Sequence, residues 1–482
     1  MMVMVILIFI SVVLFQLFYK HKHYKKYKDF YNLPTPFYCP IIGNTYKMVN
    51  KNILIFINEL LKKYGNPCVC YFPHKTYITS KPEEIKILLN HPNVLEKSLE
   101  YNHLKIYLKK SLMLAPVDDW RRQRKMISKS FKIKILESFV GRFYLKSENL
   151  LKMIEQNKFN NDVYTLFREF TLDAFCEASI GIKSNIMGNK NHKFLSGVKE
   201  AQRLAFTRIG NIIKQNDLLF SFMTDGKLMK KKITDMHEFI SGVILEKRKN
   251  RDQINEDPHN LPLLDLLLQE SHEKKLTDDY IQEEMIMFAS AATNTTAHTI
   301  AFTCCLLGMH QEIQEKVYEE VMTVIGPDKE IDKYHLGLLK YTEMTINEVM
   351  RLCPVVPMVA RKTTADIDLE NKIIPANTGV ILNFFCLHRD ENIYLNPLIF
   401  DPKRFSSEEI AKRPEYSFLP FSGGPRNCIG FKYAMMLMKT TIANIVRKFK
   451  ITSRHKSVND FKLISNVVMT TTHPLNCKFN LR

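Results

Sequence analysis

Met1 to Tyr19 form an uncharged, apolar run broken only by Ser11 and Gln16. As a helix such a run spans roughly 28 Å, close to the hydrocarbon core of a bilayer. Lys20, Lys22, Lys25, Lys26 and Lys28 follow at once, with His21 and His23 among them. This order predicts a transmembrane signal anchor over 1–19 with its basic flank on the cytoplasmic side. A cleaved signal peptide would want a basic n-region and a small-residue cleavage site, and neither is present. Residues 20–43 then read as that flank and a stiff proline-rich hinge through Leu33-Pro34-Thr35-Pro36, Pro40 and Gly43.

Beyond residue 44 the pattern is mostly helical. Ile53 to Tyr64 has helical periodicity, whereas Cys68 to Thr79 alternates and predicts a strand pair turning near His74. Asp118 and Asp119, just before Trp120, mark a helix start. Phe139 to about Lys247 is helical in pattern; Arg248 to Pro258 is a polar break, and Leu261 to Gln269 resumes an amphipathic pattern. Asp278 to about Leu307 reads as one long helix, Asp366 to Phe385 as strand–turn–strand, and Phe431 to Val446 as an apolar helix.

Composition narrows the partners. Apolar residues at 45% and aromatics at 11% give material for a large core, so disorder is not expected. A formal charge of +19 asks for an anionic surface or an acidic partner. The Lys and Arg are spread along the whole chain without a nucleic-acid recognition motif, so no nucleic acid is expected. The ten cysteines show no disulfide framework, and Cys68-Val69-Cys70 lacks a second pair to complete a zinc site. A reducing compartment is expected.

The richest stretch runs from Phe421 to Gly430. Adjacent Gly423 and Gly424 let the backbone approach something flat or bulky. Cys428 has Arg426 two residues before it and a helix opening after it, a setting that favours thiolate. Gly430 leaves room for that helix to lie against a planar ligand. A buried structural cysteine is the blander alternative. On the long helix, Phe288, Ala291, Ala292, Thr295 and Thr299 form one stripe. Its small and hydroxylated residues suggest something large packed against it. Trp120 and Arg124 share a helix face, as do Glu348 and Arg351, but each pair is also common on a solvated surface.

The pattern Phe-x-x-Gly-x-Arg-x-Cys-x-Gly, complete at Phe421, Gly424, Arg426, Cys428 and Gly430, resembles the haem-binding loop of the cytochrome P450 family. Four further motifs resemble the family in the same order. Trp120-x-x-x-Arg124 looks like the helix that reaches a haem propionate, and Arg361 falls where the family places a second propionate-binding arginine. Ala291-Ala292-Thr293-Asn294-Thr295-Thr296 resembles the oxygen-activation motif, with Ala292 standing for a glycine and Asn294 for an acid. Glu348-x-x-Arg351 with Arg404 of the Phe400–Phe405 element resembles the family's buried ion triad. Asn294-Thr295-Thr296 also spells a glycosylation sequon, rejected because it sits in an apolar helix. His388-Arg389-Asp390 resembles a kinase loop but lacks its companion motifs.

The resemblance implies a mainly α fold with a small β region, the catalytic domain occupying 44–482 behind the transmembrane helix. It implies haem b with Cys428 as the axial metal ligand, and Phe421, Gly424, Gly430, Arg426, Trp120, Arg124 and Arg361 around it. Thr295 and Asn294 would be catalytic; Phe288, Ala291, Val356 and Met358 would line the substrate pocket. The similarity is greatest to insect-type members of the fourth clan of animal P450s, anchored in the endoplasmic reticulum with the catalytic domain in the cytosol. Many of those carry a glutamate that ester-links the haem; Ala291 stands there instead, so non-covalent haem is expected. Expected partners are NADPH–cytochrome P450 reductase, cytochrome b5, membrane lipid, O2 and a lipophilic fatty acid, terpenoid or xenobiotic. The rivals are a haem-thiolate isomerase or dehydratase working without reductase, and a catalytically silent haem-binding membrane protein.

Overall fold

The computed structural model describes residues 24–39, 43–48, 52–72, 74–156, 162–189, 192–249, 261–274 and 276–482. The expected anchor over 1–19 lies outside them. Among the described residues, no helix is long and apolar enough to cross a membrane.

The principal helices are α1 (Ile53–Tyr64), α2 (Pro82–Asn90), α3 (Val117–Ile127), α4 (Val140–Glu155), α5 (Val163–Phe175), α6 (Lys193–Ile209), α7 (Thr224–Lys249), α8 (Leu263–Lys274), α9 (Asp278–Met309), α10 (Gln311–Val324), α11 (Lys340–Leu352) and α12 (Phe431–Lys448). The long helix α9 is the axis of the body. The Thr277 side chain caps its start by accepting from the Tyr280 N–H, and Asp278 and Asp279 sit favourably in its first turn. It packs against α5, α7, α11, α12 and the strand Phe449–Ser453. A helix enclosed on so many sides cannot show a one-sided apolar stripe, and it is buried almost all round.

The main sheet has five strands in the order β1-β2-β7-β4-β3. These are β1 (Cys68–Tyr71), β2 (Lys75–Thr79), β3 (Glu96–Lys97), β4 (Met358–Lys362) and β7 (Gly379–Asn383). The hairpin predicted between Cys68 and Thr79 is present, with Val69 opposite Tyr77. β2 and β7 run parallel, Tyr77 beside Val380, so the N-terminal hairpin is stitched to the C-terminal half. The strand–turn–strand expected from Asp366 to Phe385 divides differently. β5 (Ile367–Asp368) and β6 (Ile373–Ile374) form a separate ribbon, and Phe384 already begins a short helix capped by the Asn383 side chain.

Two expected boundaries shift. α7 continues through Lys249, because Arg248, placed in the polar break, donates to Asp278 at 2.5 Å and so joins the start of α9. The remainder of that break, 250–260, lies outside the described residues. In the basic flank, Tyr27 and Phe30 are buried, and Phe30 stacks on Tyr77 at 6.3 Å. Lys26 bonds Asp366 at 2.6 Å, and the Pro34 carbonyl accepts from Val69. The end of the flank is therefore part of the packed body.

Glu348 and Arg351, three apart on α11, form a two-pronged ion pair, both hydrogen bonds at 2.7 Å, with neither side chain exposed. Arg404 Nε lies 3.5 Å from Glu348 Oε1, while its Nη2 donates to the Leu395 carbonyl. Removing one partner strands a buried charge. Arg351→Ala should cost about 3–5 kcal/mol or prevent folding. Arg404→Ala should cost clearly less, because Arg404 sits at longer range and keeps contact with water. Chemical denaturation followed by far-UV circular dichroism measures both; equal losses would refute this ranking.

Candidate active site

The segment from Phe421 to Gly430 folds back on itself before α12. The Cys428 N–H donates to the Phe421 carbonyl at 3.0 Å, and the Asn427 N–H to that of Gly424 at 3.2 Å. Ser422 and Gly424 both have positive φ. A Cβ on Gly424 would stand 2.2 Å from the Leu89 carbonyl oxygen, so glycine is required there. The close approach expected of the paired glycines is thus made to the last turn of α2, a long-range contact that no local spacing announces. Gly430 caps α12, and a Cβ on it would meet nothing nearer than Phe131 at 3.9 Å and Cys428 Sγ at 4.0 Å.

Cys428 is exposed, yet protein atoms crowd round it, so its thiol faces an internal slot and not the outer surface. Burial pushes the thiol up; the Gly430 N–H and the Arg124 guanidinium oppose this. The cation acting on Cys428 is therefore Arg124 and not, as its position in the sequence suggested, Arg426. Arg124 donates to the Asn427 carbonyl at 3.1 Å and to Asn427 Oδ1 at 2.8 Å, so it grips the residue before the cysteine.

Arg426 instead lies over the Trp120 ring at 4.5 Å and donates to the Ala115 carbonyl at 2.9 Å. Its Nε and Nη1 are buried without a hydrogen-bond partner among the described residues. Burial, then Arg361, push Arg426 down to about 10, with Glu96 opposing. Arg361 is buried on β4, and Lys97 on β3 is pressed well below its usual range by burial, then by Arg361 and Arg426. Three cations held this close, with unpartnered N–H groups, call for an anionic guest. Sequence reading missed Lys97; only the pairing of Lys97 with Arg361 across β3 and β4 reveals it.

On α9, Ala291, Ala292 and Thr295 keep partial exposure while nearly every neighbour is buried. The Thr295 hydroxyl donates to the Ala291 carbonyl at 2.8 Å. Asn294 is turned elsewhere. Its Oδ1 accepts from Arg168 Nε at 3.0 Å and its Nδ2 donates to Gln202 at 2.9 Å. His298, one turn on, donates from Nδ1 to the Asn294 carbonyl at 2.8 Å, stacks on Tyr164, and is driven down to about 3 by burial. Phe288 is used in packing, stacked on Phe131 at 5.6 Å. Met358 lines an apolar cleft of about 110 Å³ to which Phe288, Ala291 and Val356 do not contribute.

A family profile described as Cytochrome P450 matches residues 33–479. The chain belongs to the cytochrome P450 family. Similar curated proteins include Cytochrome P450 4d1 of Drosophila melanogaster, 28% identical over 96% of each chain. Cytochrome P450 4d2 of the same fly is 30% identical, over 87% of this chain and 88% of its own. Cytochrome P450 4d10 of Drosophila mettleri is 29% identical, over 93% and 91%. This P450 is accordingly a monooxygenase of the insect fourth-family type, and the family implies haem with a thiolate ligand, and O2. The site fits that group: an enclosed thiol, a helix face without bulk, and buried cations suited to its carboxylates.

One further acid stands on the same stripe of α9 as Phe288, Ala291 and Thr295. Glu284 is fully buried and accepts from the Leu112 N–H at 2.9 Å, tying down the segment that enters α3. Burial pushes its carboxyl up to about 7, against the Leu112 N–H and the Tyr280 hydroxyl. A folded-state value above the ordinary 4.5 means full stability below about pH 4.5, lost as pH rises through about 7. The loss amounts to roughly 3 kcal/mol at 1.36 kcal/mol per unit. Glu284→Gln keeps the acceptor but does not titrate. Its melting temperature should fall less than the wild type's between pH 5 and pH 8 in scanning calorimetry; parallel falls would refute the assignment.

Proposed function

We propose that this P450 is a membrane-attached monooxygenase that draws electrons from an NADPH-dependent reductase and oxidises a small lipophilic substrate. The observation that carries this reading is the enclosed Cys428 thiol set beside three converging cations. Bound in the slot, haem supplies activation of O2, chemistry that no side chain provides. Cys428 would hold its iron through the thiolate. Arg426, Arg361 and Lys97 would hold its carboxylates, with Trp120 supporting the Arg426 guanidinium. Arg124 holds the Cys428 loop through Asn427. Thr295, partly exposed on α9, would pass on a proton through its hydroxyl; Asn294 cannot lose and regain one at neutral pH and holds Arg168. Ala291 offers no carboxylate for an ester, which leaves the haem non-covalently held.

Exposed Arg121, Arg122 and Lys125 on α3 support docking of an acidic reductase, with cytochrome b5 as a second donor, although Asp118 and Asp119 pair with the two arginines. The carbonyl complex of the reduced protein should show the red-shifted absorption of thiolate-bound haem. Cys428→His should abolish that shift while haem is retained. An unchanged spectrum in Cys428→His would assign the iron to another residue.

Membrane attachment rests on the apolar run over 1–19 and on Ile213, Leu218, Leu219 and Phe222, all exposed on two short helices after α6. Removal of residues 1–23 spares the packed Tyr27 and Phe30. It should release part of the protein from liposomes, and Leu218→Asp with Phe222→Asp should release most of the rest. Flotation in a density gradient reads the outcome; a full-length chain that stays unbound would refute the attachment.

A further inference from the structure

The two short helices after α6, Ile212–Gln215 and Asp217–Phe222, are pinned from inside. Arg208 donates to the Lys214 carbonyl at 2.7 Å and to the Gln215 carbonyl at 3.1 Å, pairs with Asp217, and lies over the Phe220 ring at 4.5 Å. In the first turn of α7, Gly226 sits against the Phe220 carbonyl, where a Cβ would clash. Phe220 is the residue of its helix that is buried, so Leu218, Leu219 and Phe222 stay outside, Phe222 with 72% of its surface exposed. A fixed tip thus holds large apolar side chains in water at the start of α7. Such a surface is better matched to acyl chains than to solvent.

The charges beside this tip do not balance. Between residues 211 and 240 the acids are Asp217, Asp225, Asp235 and Glu238. Each has a partner within the protein. Asp217 pairs with Arg208, Asp225 with Lys214 at 2.7 Å, Asp235 with Lys232 at 3.2 Å and Glu238 with Lys193 at 3.6 Å. Lys227, Lys230 and Lys231 are left over, exposed and without a carboxylate partner among the described residues. They occupy the first two turns of α7. Their spacing of three and four puts them on one face, across the helix from the buried Met229, Met236 and Ile240.

We propose that Lys227, Lys230 and Lys231 bind the headgroups of anionic phospholipid, so that this tip selects a negatively charged bilayer surface. The selection rests on the membrane attachment proposed above and adds its chemical preference. A bilayer satisfies both halves of the surface at different depths. Leu218, Leu219 and Phe222 enter the acyl boundary, and the long lysine side chains reach phosphates at the rim. Each lysine near an anionic surface contributes about fivefold in affinity, so the three together supply about a hundredfold. An acidic protein would answer the lysines alone; the adjoining apolar tip favours lipid.

The test uses the full-length, haem-loaded protein in nanodiscs of phosphatidylcholine alone, or of phosphatidylcholine mixed with phosphatidylserine. Acetylation by a water-soluble reagent, read by peptide mass spectrometry, should modify Lys227, Lys230 and Lys231 about tenfold more slowly in the mixed discs. Lys125, exposed on α3, is the reference, and high salt should remove the difference. A diazirine carried on an acyl chain should mark Leu218–Phe222 in both discs and more heavily in the mixed ones. Lys227→Gln, Lys230→Gln and Lys231→Gln together, all on an exposed face, should erase that excess. Equal acetylation of the three lysines in both discs, or an excess of photolabel that survives their substitution, would overturn the proposal. A tip left unmarked in either disc would overturn its attachment to the membrane instead, whatever the lysines do.

Discussion

The buried pair of Glu348 and Arg351 is the constraint on which the site depends, through a continuous series of hydrogen bonds. Arg351 Nη1 donates to the His388 carbonyl at 2.7 Å, and the His388 imidazole accepts from the Leu419 N–H at 2.9 Å. The Leu419 carbonyl takes the Ser422 N–H, and the Phe421 carbonyl takes the Cys428 N–H. Arg351 also lies over Tyr394, whose hydroxyl donates to the Ser417 carbonyl. An ion pair with no exposure thus fixes the segment 388–422 and, at its end, the cysteine. Such a pair adds little net stability over an apolar replacement, so its use is better sought in positioning. Its directional bonds set where a loop without regular structure must run.

A second grip acts from the other side. Arg124 on α3 holds Asn427, and Arg426 is sandwiched between Trp120 and the Ala115 carbonyl. α3 and the Cys428 loop therefore hold one another at both arginines. The result is a cluster assembled from distant parts of the chain: α3, β3 and β4, and the loop before α12.

Local sequence carried much of this plan. The Phe421–Gly430 pattern, the Glu348 and Arg351 spacing, the long α9 and the hairpin at Cys68–Thr79 all follow from short-range rules of period, capping and turn. What stayed hidden depends on contacts between remote segments. Gly424 is required by Leu89, some three hundred residues earlier in the chain. Asn294 occupies the acid's place in its motif, yet its side-chain direction is decided by Arg168 and Gln202 on other helices. Arg248 looked like loop because its partner, Asp278, lies beyond the polar break. Lys97 sits in an unremarkable stretch and gains meaning only from Arg361 and Arg426. Arg124 and Arg426 illustrate the same limit. Spacing showed that both belong to the site, but not which one acts on the thiol.

Glu284 gives the enzyme an unusual heterogeneity. With its carboxyl pushed up to about 7, Glu284 changes form in the neutral range and not in acid, between an anion bonded to the Leu112 N–H and a weaker neutral acceptor. The segment leading from Leu112 into α3 is therefore tethered with two different strengths within a single sample. Any rate that involves this segment is a weighted mean over both species, and its value shifts with small changes in buffer near neutrality.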